Sequence, residues 1–561
     1  MVEECDLVVV GSGAGGLTAA CRAADLGLSV VVVEKSDHYG GTSAVSGGTV
    51  WIPNNHHMAD LGEEDDPESA LAYLRACSLG AVNKELTSRY VESAPDVIRY
   101  LESETRVRFR ALMEYPDYLQ HLPGARTGRT LEPIPFDGTS LGDDLPALRP
   151  NLPANLILGR VAISAIEARQ VLAGGAKAWW ILAQLFGRYF MDLSSRWRGR
   201  RDRRLTLGAA LVGALRGSLR DRGVPVLLSA PMQDLVVSSD GTRVEGVRVT
   251  HGGESRQIMA KRAVLLACGG FEHNPEMRSE HLPAPTDTRW SVAPGGNTGD
   301  GIQAGQRAGG RTAAMSAAWF TPAVAAATES PRAIFCERAL PGCVVVNGRG
   351  ERFVNEAAPY NQFVLEMYEN HRVTQCSIPA WMIFDARFRR KYPCGPLLPG
   401  TFVPDRVLPA RVRDLFVRAE DLPGLARKIG VPYENLSQTL RRFAGYAESG
   451  VDEEFGKGNN VFDAYYGDPR YGDPRRSPNP CLGPVEEPPF YAMQIQAGDI
   501  GTCGGLETNS NGQVLGEDGA IPGLYAIGNT AASMTQGGYP GAGGTLGPAI
   551  LFGFLAAEAL R

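Results

Sequence analysis

The residues Asp6–Val10 read DLVVV, a run of β-formers without polar alternation, which is the pattern of a strand buried on both faces. Leu17–Gly27 follows with the Ala/Leu content of a packed helix, and Leu28–Val33 returns to an unbroken apolar run. The same alternation resumes later. Thr206–Asp221 predicts a helix, Val224–Leu228 a short strand, 234–250 a pair of strands and Val264–Gly270 a strand ending in a turn. A strand through Gly523–Ile527 and a helix over Gly547–Leu560 close the chain. Strands that alternate with helices in this way predict an α/β domain with a mostly parallel sheet. Residues 316–500 are richer in Pro and aromatics and read as an inserted α+β domain, so the expected division is 1–315, 316–500 and 501–561. One stretch, about 155–204, fits neither part. Trp179, Leu182, Phe186, Tyr189 and Leu193 fall at helical spacing, broadened by Trp180, Ile181, Leu185, Phe190 and Met191. Arg188, Arg196, Arg198, Arg200, Arg201, Arg203 and Arg204 follow against only Asp192 and Asp202, so an interfacial helix on an anionic membrane, through about 160–204, competes with a helix packed on the body.

Composition narrows the function classes. The chain has 561 residues, is 43% hydrophobic and 21% charged, and carries a net charge of −6, which excludes a disordered chain and a general nucleic-acid binder. Its 10 cysteines are scattered without a C-x-x-C, so neither a zinc or iron–sulfur site nor a disulfide framework is expected, and thiols in a reducing cytoplasm are the simple reading. No export signal and no stretch of about 20 apolar residues is seen. His56-His57 reads as a loop pair and Glu63-Glu64-Asp65-Asp66 as a solvated charge run; no metal site is expected. Glycine is the outlier at 67 residues, concentrated at the two ends of the chain.

At the first of those ends the glycines have a chemical order. Gly11-Ser12-Gly13-Ala14-Gly15-Gly16 lies between the first strand and the first helix, as a pyrophosphate site requires. Gly11 permits the tight turn, Gly13 lets the backbone approach the phosphates, and Gly16 lets helix and strand pack closely. The helix N-terminus then faces the anion. Glu34 ends the second strand roughly 20 residues on, where a carboxylate accepts ribose hydroxyls and repels a 2′-phosphate. These features together imply an adenine dinucleotide.

Several further motifs resemble those of FAD-containing oxidoreductases with a glutathione-reductase-like nucleotide fold. They are Gly40-Gly41-Thr42-Ser43 with Ser46-Gly47-Gly48, Val264–Gly270, and Gly523–Thr530, in which Asn529 stands where many relatives carry Asp. Beyond the cofactor, Glu114–Tyr118 with Gly128-Arg129, Arg352–Glu356 with Pro359–Phe363, Asn297–Asp300, Trp51–Pro53 and Tyr539-Pro540-Gly541-Ala542-Gly543-Gly544-Thr545-Leu546 resemble the bacterial 3-ketosteroid Δ1-dehydrogenases, over nearly the whole chain except 155–204. The resemblance implies a Rossmann-like FAD-binding domain with an inserted substrate domain and non-covalent FAD, since His38 lacks the context for covalent attachment. It gives cofactor contacts to Gly11, Gly13, Ala14, Gly16, Glu34, Lys35, Gly41, Thr42, Ser43, Ser46, Gly47, Gly48, Asp300, Asn529, Gly544 and Leu546. It also implies that the Tyr539 hydroxyl and the Gly543 N–H hold the 3-oxo oxygen of a steroid such as androst-4-ene-3,17-dione, that Tyr360 takes the proton from carbon 2, and that Tyr118 supports Tyr360. A quinone or other external acceptor would reoxidise the flavin, in the cytoplasm or on the inner face of the cell membrane. Two rivals share the fold: a 3-ketosteroid Δ4-dehydrogenase, and a fumarate-reductase-like ene-reductase, for which Arg129 and Arg352 would bind a carboxylate.

Overall fold

The structure is a computed structural model that describes residues 3–112, 114–199, 201–326, 329–471 and 479–561. It divides into two compact units: Met1–Asn274 with Pro294–Ala317 and Thr502–Arg561, and Pro275–Ala293 with Ala318–Gly501.

The first unit is built on an eight-stranded sheet. Its elements in chain order are β1 (Glu4–Val10), α1 (Ala14–Asp25), β2 (Val30–Val33), α2 (Leu207–Asp221), β3 (Val226–Leu227), β4 (Met232–Val237), β5 (Val244–His251), β6 (Glu254–Leu266), β7 (Gln513–Gly516), β8 (Gly519–Ala526) and α3 (Leu546–Glu558). The parallel order is β3-β2-β1-β6-β8. β6 is long enough for two tasks: its first half pairs antiparallel with β5, while Val264–Leu266 pair in parallel with Leu524–Ala526. The Val-rich runs of β1 and β2 are buried throughout, because helices cover the sheet as parallel strands require. α1 packs against α3 through glycine on both sides: a Cβ on Gly15 would lie 2.5 Å from the Ala549 carbonyl oxygen, and one on Gly553 2.4 Å from that of Gly15. The C-terminal helix is thereby held against the first one, which brings the two glycine-rich ends of the chain together.

The second unit carries a six-stranded sheet in the order Glu329–Ala333, Ala318–Ala326, Phe490–Thr502, Ala380–Phe384 and Cys343–Val346, with Phe416–Ala419 also paired to Phe490–Thr502. Leu436, Leu440 and Phe443 of the helix Tyr433–Ser449 pack with Val344, Val346 and Ile383 in one core cluster. Residues 275–293 belong to this unit, whereas the sequence reading kept them in 1–315. The reason is a buried ion pair: Arg278 Nη1 lies 2.6 Å from Asp499 Oδ2, and Ser291 Oγ donates to Asp499 Oδ1 at 2.7 Å.

Residues 165–198 form three helices, Ala165–Ala173, Gly175–Met191 and Leu193–Arg198. The expected single apolar stripe is corrected to two faces. Ala178, Ile181, Leu185 and Tyr189 are buried in a small core with Val161. On the opposite side Trp179 and Trp180 are each 65% exposed, joined by exposed Phe190, Met191 and Leu193, and Trp197 is 95% exposed. The arginines are also corrected from a free cationic patch, because several are bonded within the segment or to its neighbours. Arg204 pairs with Glu167 at 2.5 Å, Arg203 with Asp192 at 3.2 Å and Arg188 with Asp202 at 3.6 Å. Arg201 donates to the Leu145 and Leu148 carbonyls at 3.0 and 2.7 Å. Arg200 and the side chains of Arg196 and Arg198 lie outside the described residues. No helix among the described residues is long and apolar enough to cross a membrane.

Candidate active site

The nucleotide cradle follows from steric facts at single atoms. Gly11 has φ +109° where β1 turns, and a Cβ there would sit 2.2 Å from the Ala267 carbonyl oxygen. A Cβ on Gly16 would lie 2.4 Å from the Gly11 carbonyl oxygen and 3.2 Å from Val9, so only glycine lets α1 press onto the turn. Gly13 caps α1, whose first turn holds no acidic residue, and a Cβ there would meet only Ser43 Oγ at 3.4 Å. The helix end is thus open to an anion and lined by free backbone geometry rather than side chains.

Hydrogen bonds hold many of the predicted cofactor residues in several local groups. Glu34 is 8% exposed at the end of β2; its Oε2 accepts from Ser12 N and Ser12 Oγ at 3.1 and 2.6 Å, and its Oε1 from Ser36 N at 2.9 Å. Ser12 Oγ also accepts from Gly40 N at 2.9 Å. Ser43 Oγ accepts from Ala14 N at 3.1 Å, joining the second loop to the start of α1, and beside them Gly41 has φ +51°. Ser46 Oγ donates to the Ser43 carbonyl and accepts from Gly48 N, at 2.8 and 3.0 Å, while Gly47 has open space about it. Thr42 Oγ1 accepts from Asn297 Nδ2 at 3.0 Å. Lys35 Nζ pairs with Asp300 Oδ2 at 2.6 Å and donates to Thr298 Oγ1 at 3.0 Å. From the other end of the chain, Ile527 N donates to the Leu266 carbonyl at 3.0 Å. That sets the turn Gly528–Thr530, with half-buried Asn529, beside the strand. Gly544 N donates to the Gly541 carbonyl at 3.0 Å, and Leu546 opens α3. The glycine cradle, the acid-free helix end and the fixed carboxylate fit an adenine dinucleotide such as FAD.

The tyrosines divide between the units. In the first, the Tyr118 and Tyr539 rings stack with centroids 5.5 Å apart and planes 18° from parallel, both buried. Tyr118 N donates to the Pro540 carbonyl at 3.0 Å; the Tyr73 hydroxyl donates to the same carbonyl at 2.7 Å and accepts from Leu119 N at 3.0 Å. The Gly543 carbonyl accepts from Trp51 N and Gly547 N at 3.3 and 2.9 Å. In the second unit, half-buried Tyr360 opens the helix Tyr360–Thr374, which has no acidic residue in its first turn. Its ring meets Phe335 edge-on at 5.1 Å, and Asn361 Oδ1 accepts from Phe320 N at 2.9 Å.

Behind Tyr118 lies a buried charge cluster that the sequence reading missed. Arg129 donates through Nε and Nη2 to Asp65 at 2.8 and 2.6 Å and through Nη1 to Asp117 at 2.7 Å. Asp117 also accepts from Trp51 Nε1 at 2.7 Å and Arg126 N at 3.0 Å. Burial pushes the Asp117 carboxyl up to about 6, against the pull of Arg129 and Trp51. Asp65 is therefore no part of a solvated run: its side chain is buried, while Asp66 caps the helix Pro67–Cys77 and Glu63 accepts from Thr127. An Arg129→Met variant leaves two buried carboxylates without their cation. It should lose about 3–5 kcal/mol of stability, with Arg129→Lys recovering only part because an ammonium cannot fork. Denaturant unfolding of the flavin-loaded protein measures this, and a loss under about 1 kcal/mol would deny the cluster a structural role.

Comparisons with known proteins agree with this arrangement. The FAD binding domain family matches residues 6–546. The 3-oxosteroid 1-dehydrogenase of Mycobacterium tuberculosis is 40% identical over 99% of this chain and 98% of its own. The chain belongs to the FAD-binding flavoprotein family that contains the 3-oxosteroid 1-dehydrogenases. Within that family, the crystal structure of 3-ketosteroid Δ1-dehydrogenase from Sterolibacterium denitrificans with 1,4-androstadiene-3,17-dione superimposes at a TM-score of 0.95, with 46% identity over 100% of this chain and 99% of that one. The 3-ketosteroid Δ4-(5α)-dehydrogenase of Rhodococcus jostii, at 21% identity and a TM-score of 0.66 over 99% and 96% of the two chains, shares the fold alone. The cofactor of this flavoprotein family is FAD.

Proposed function

We propose that the chain catalyses 1,2-desaturation of 3-oxosteroids in steroid degradation. The observation that carries the reading is the paired phenols of Tyr118 and Tyr539 beside a glycine backbone that side chains cannot occupy. Removing hydrogen from carbons 1 and 2 takes a proton from carbon 2, which the neighbouring carbonyl acidifies. The Tyr539 hydroxyl and the Gly543 N–H donate to the 3-oxo oxygen and stabilise the enolate as it forms. Tyr360 takes the carbon-2 proton, with Tyr118 supporting its anion. FAD, when bound, supplies the hydride acceptor for carbon 1, and an external acceptor such as a quinone later removes the electrons. The carboxylate-binding rival loses support, since both arginines it needs are committed: Arg129 to Asp65 and Asp117, and Arg352 to Glu356 and Asp452 at 2.8 and 2.7 Å.

The test supplies androst-4-ene-3,17-dione with an artificial electron acceptor and follows formation of the 1,4-diene. No product from fully flavin-loaded protein would sink the reading. Introduction of a 4,5 double bond into a 5α-saturated 3-oxosteroid, without 1,2-desaturation, would instead favour Δ4 chemistry.

The exposed face of Trp179, Trp180, Phe190 and Trp197 supports peripheral contact with a membrane, where a sparingly soluble steroid and a lipid quinone both partition. Replacing Trp179, Trp180 and Trp197 by Ser leaves the buried Ile181–Tyr189 face intact and should abolish flotation with anionic liposomes. Unchanged flotation would assign those rings another role.

A further inference from the structure

The pair His56-His57 does not stand alone. His56 Nε2 lies 2.9 Å from Glu102 Oε2, and His57 Nε2 lies 3.1 Å from both Glu102 oxygens. The two rings are 4.1 Å apart, centroid to centroid. Among the described residues this is the one group of three such side chains whose ligand atoms all fall within 4.8 Å of one another. We propose that His56, His57 and Glu102 form a binding site for a divalent transition metal of the zinc type, in the first unit and separate from the cofactor cradle.

Three observations support a metal over a simple hydrogen-bonded trio. First, the donor set is chemically apt: two imidazole nitrogens and a carboxylate match the His₂Glu sets that hold zinc. Second, the spacing is close to what coordination needs, because bonds of about 2.0–2.1 Å at tetrahedral angles put ligand atoms roughly 3.3 Å apart. The two His–Glu separations require an opening of only a few tenths of an ångström, and the three ligand atoms all lie within 4.8 Å of one another. Third, the surroundings orient two of the ligands. Glu102 Oε1 accepts from Phe109 N at 2.9 Å, and the Asp60 carboxylate stands 3.8 Å from His57 Nδ1, near the nitrogen that carries the proton when Nε2 is coordinated.

The site would also act on the fold. A metal here clips the loop after Trp51 to the last turn of the helix Lys84–Glu104. That loop leads into the charge cluster: Asn54 N donates to Asp65 Oδ2 at 3.0 Å, and Asn55 Nδ2 to the Ile52 and Gly128 carbonyls at 2.8 and 3.2 Å. Stiffening it raises the resistance of the first unit to unfolding.

The experiment uses tag-free, flavin-loaded protein at pH 7.5 and titrates Zn²⁺ by calorimetry, with Mg²⁺ as control. One Zn²⁺ per chain is expected, with a raised melting temperature and no effect of Mg²⁺. His57→Ala should abolish the binding and Glu102→Gln should weaken it at least about tenfold, with flavin content unchanged. Absence of Zn²⁺ binding, or equal binding and melting shift in both variants, overturns the proposal. Should a variant fail to hold flavin, Co²⁺ added to the parent protein decides: no ligand-field band means no site.

Discussion

A Tyr360→Phe protein is expected to bind FAD as the parent does and to lose turnover by about 10²–10⁴-fold, the range that a positioned general base contributes. The substitution is narrow. Phe keeps the ring that meets Phe335 edge-on, Asn361 Oδ1 still accepts from Phe320 N, and only the phenol oxygen is removed. A phenol with pKa near 10 is a poor base at neutral pH, and its anion must be favoured by its setting. The first helical position gives part of that, since the positive end of the helix dipole favours an anion and no acidic residue in the first turn opposes it. The loss should therefore fall on kcat, with little change in KM, and the parent's rise of kcat with pH should disappear in the variant. Stopped-flow reduction of the flavin by androst-4-ene-3,17-dione measures the step directly. A rate within about tenfold of the parent would remove Tyr360 as the base.

What could be read from the sequence was local. A phosphate-binding turn needs its glycines, strand and helix within about 30 residues. Gly11 accordingly makes the turn after the first strand, Gly16 lets the helix press onto it, and Glu34 follows the second strand. What could not be read depends on partners far apart in the chain. Asp65 and Asp117 lie 64 and 12 residues from Arg129, and in the sequence a buried carboxylate looks the same as a solvated one. Arg278 likewise gives no sign that it pairs with Asp499, 221 residues on, yet that pair draws 275–293 into the second unit. The helix Gly175–Met191 shows a third limit. Helical periodicity marks its apolar residues correctly, but a helix apolar on two sides does not reveal which side is covered. The structure buries Ile181, Leu185 and Tyr189 and leaves the tryptophans outside. The arginines were legible as charge and not as pairs, for the same reason as Arg129.

Gly543→Ala is the second change expected to cost most, for a reason different from Tyr360. Gly543 has φ +92°, a conformation that side chains resist, and an added Cβ would lie 2.5 Å from both the Thr49 carbonyl oxygen and Val50 Cα. Those are backbone atoms of and next to the strand Val50–Trp51, which is itself paired with Leu131 and Thr130, so the neighbour cannot yield. The peptide of Gly543 must move instead. That motion breaks the bond from Trp51 N to the Gly543 carbonyl and turns the Gly543 N–H away from the position assigned to the 3-oxo oxygen. Losing one such donor costs about 10²–10³-fold in kcat, so a drop of at least that size is expected. A control separates this from a general dislike of added methyl groups. Gly445→Ala, in the helix Tyr433–Ser449, places its Cβ in open space without a positive φ and should change kcat by less than about twofold in the same assay. The two glycines thus predict opposite outcomes from one methyl group. If Gly543→Ala kept kcat within about threefold while holding FAD, its N–H would have no part in stabilising the enolate, and the oxyanion role would rest on Tyr539 alone.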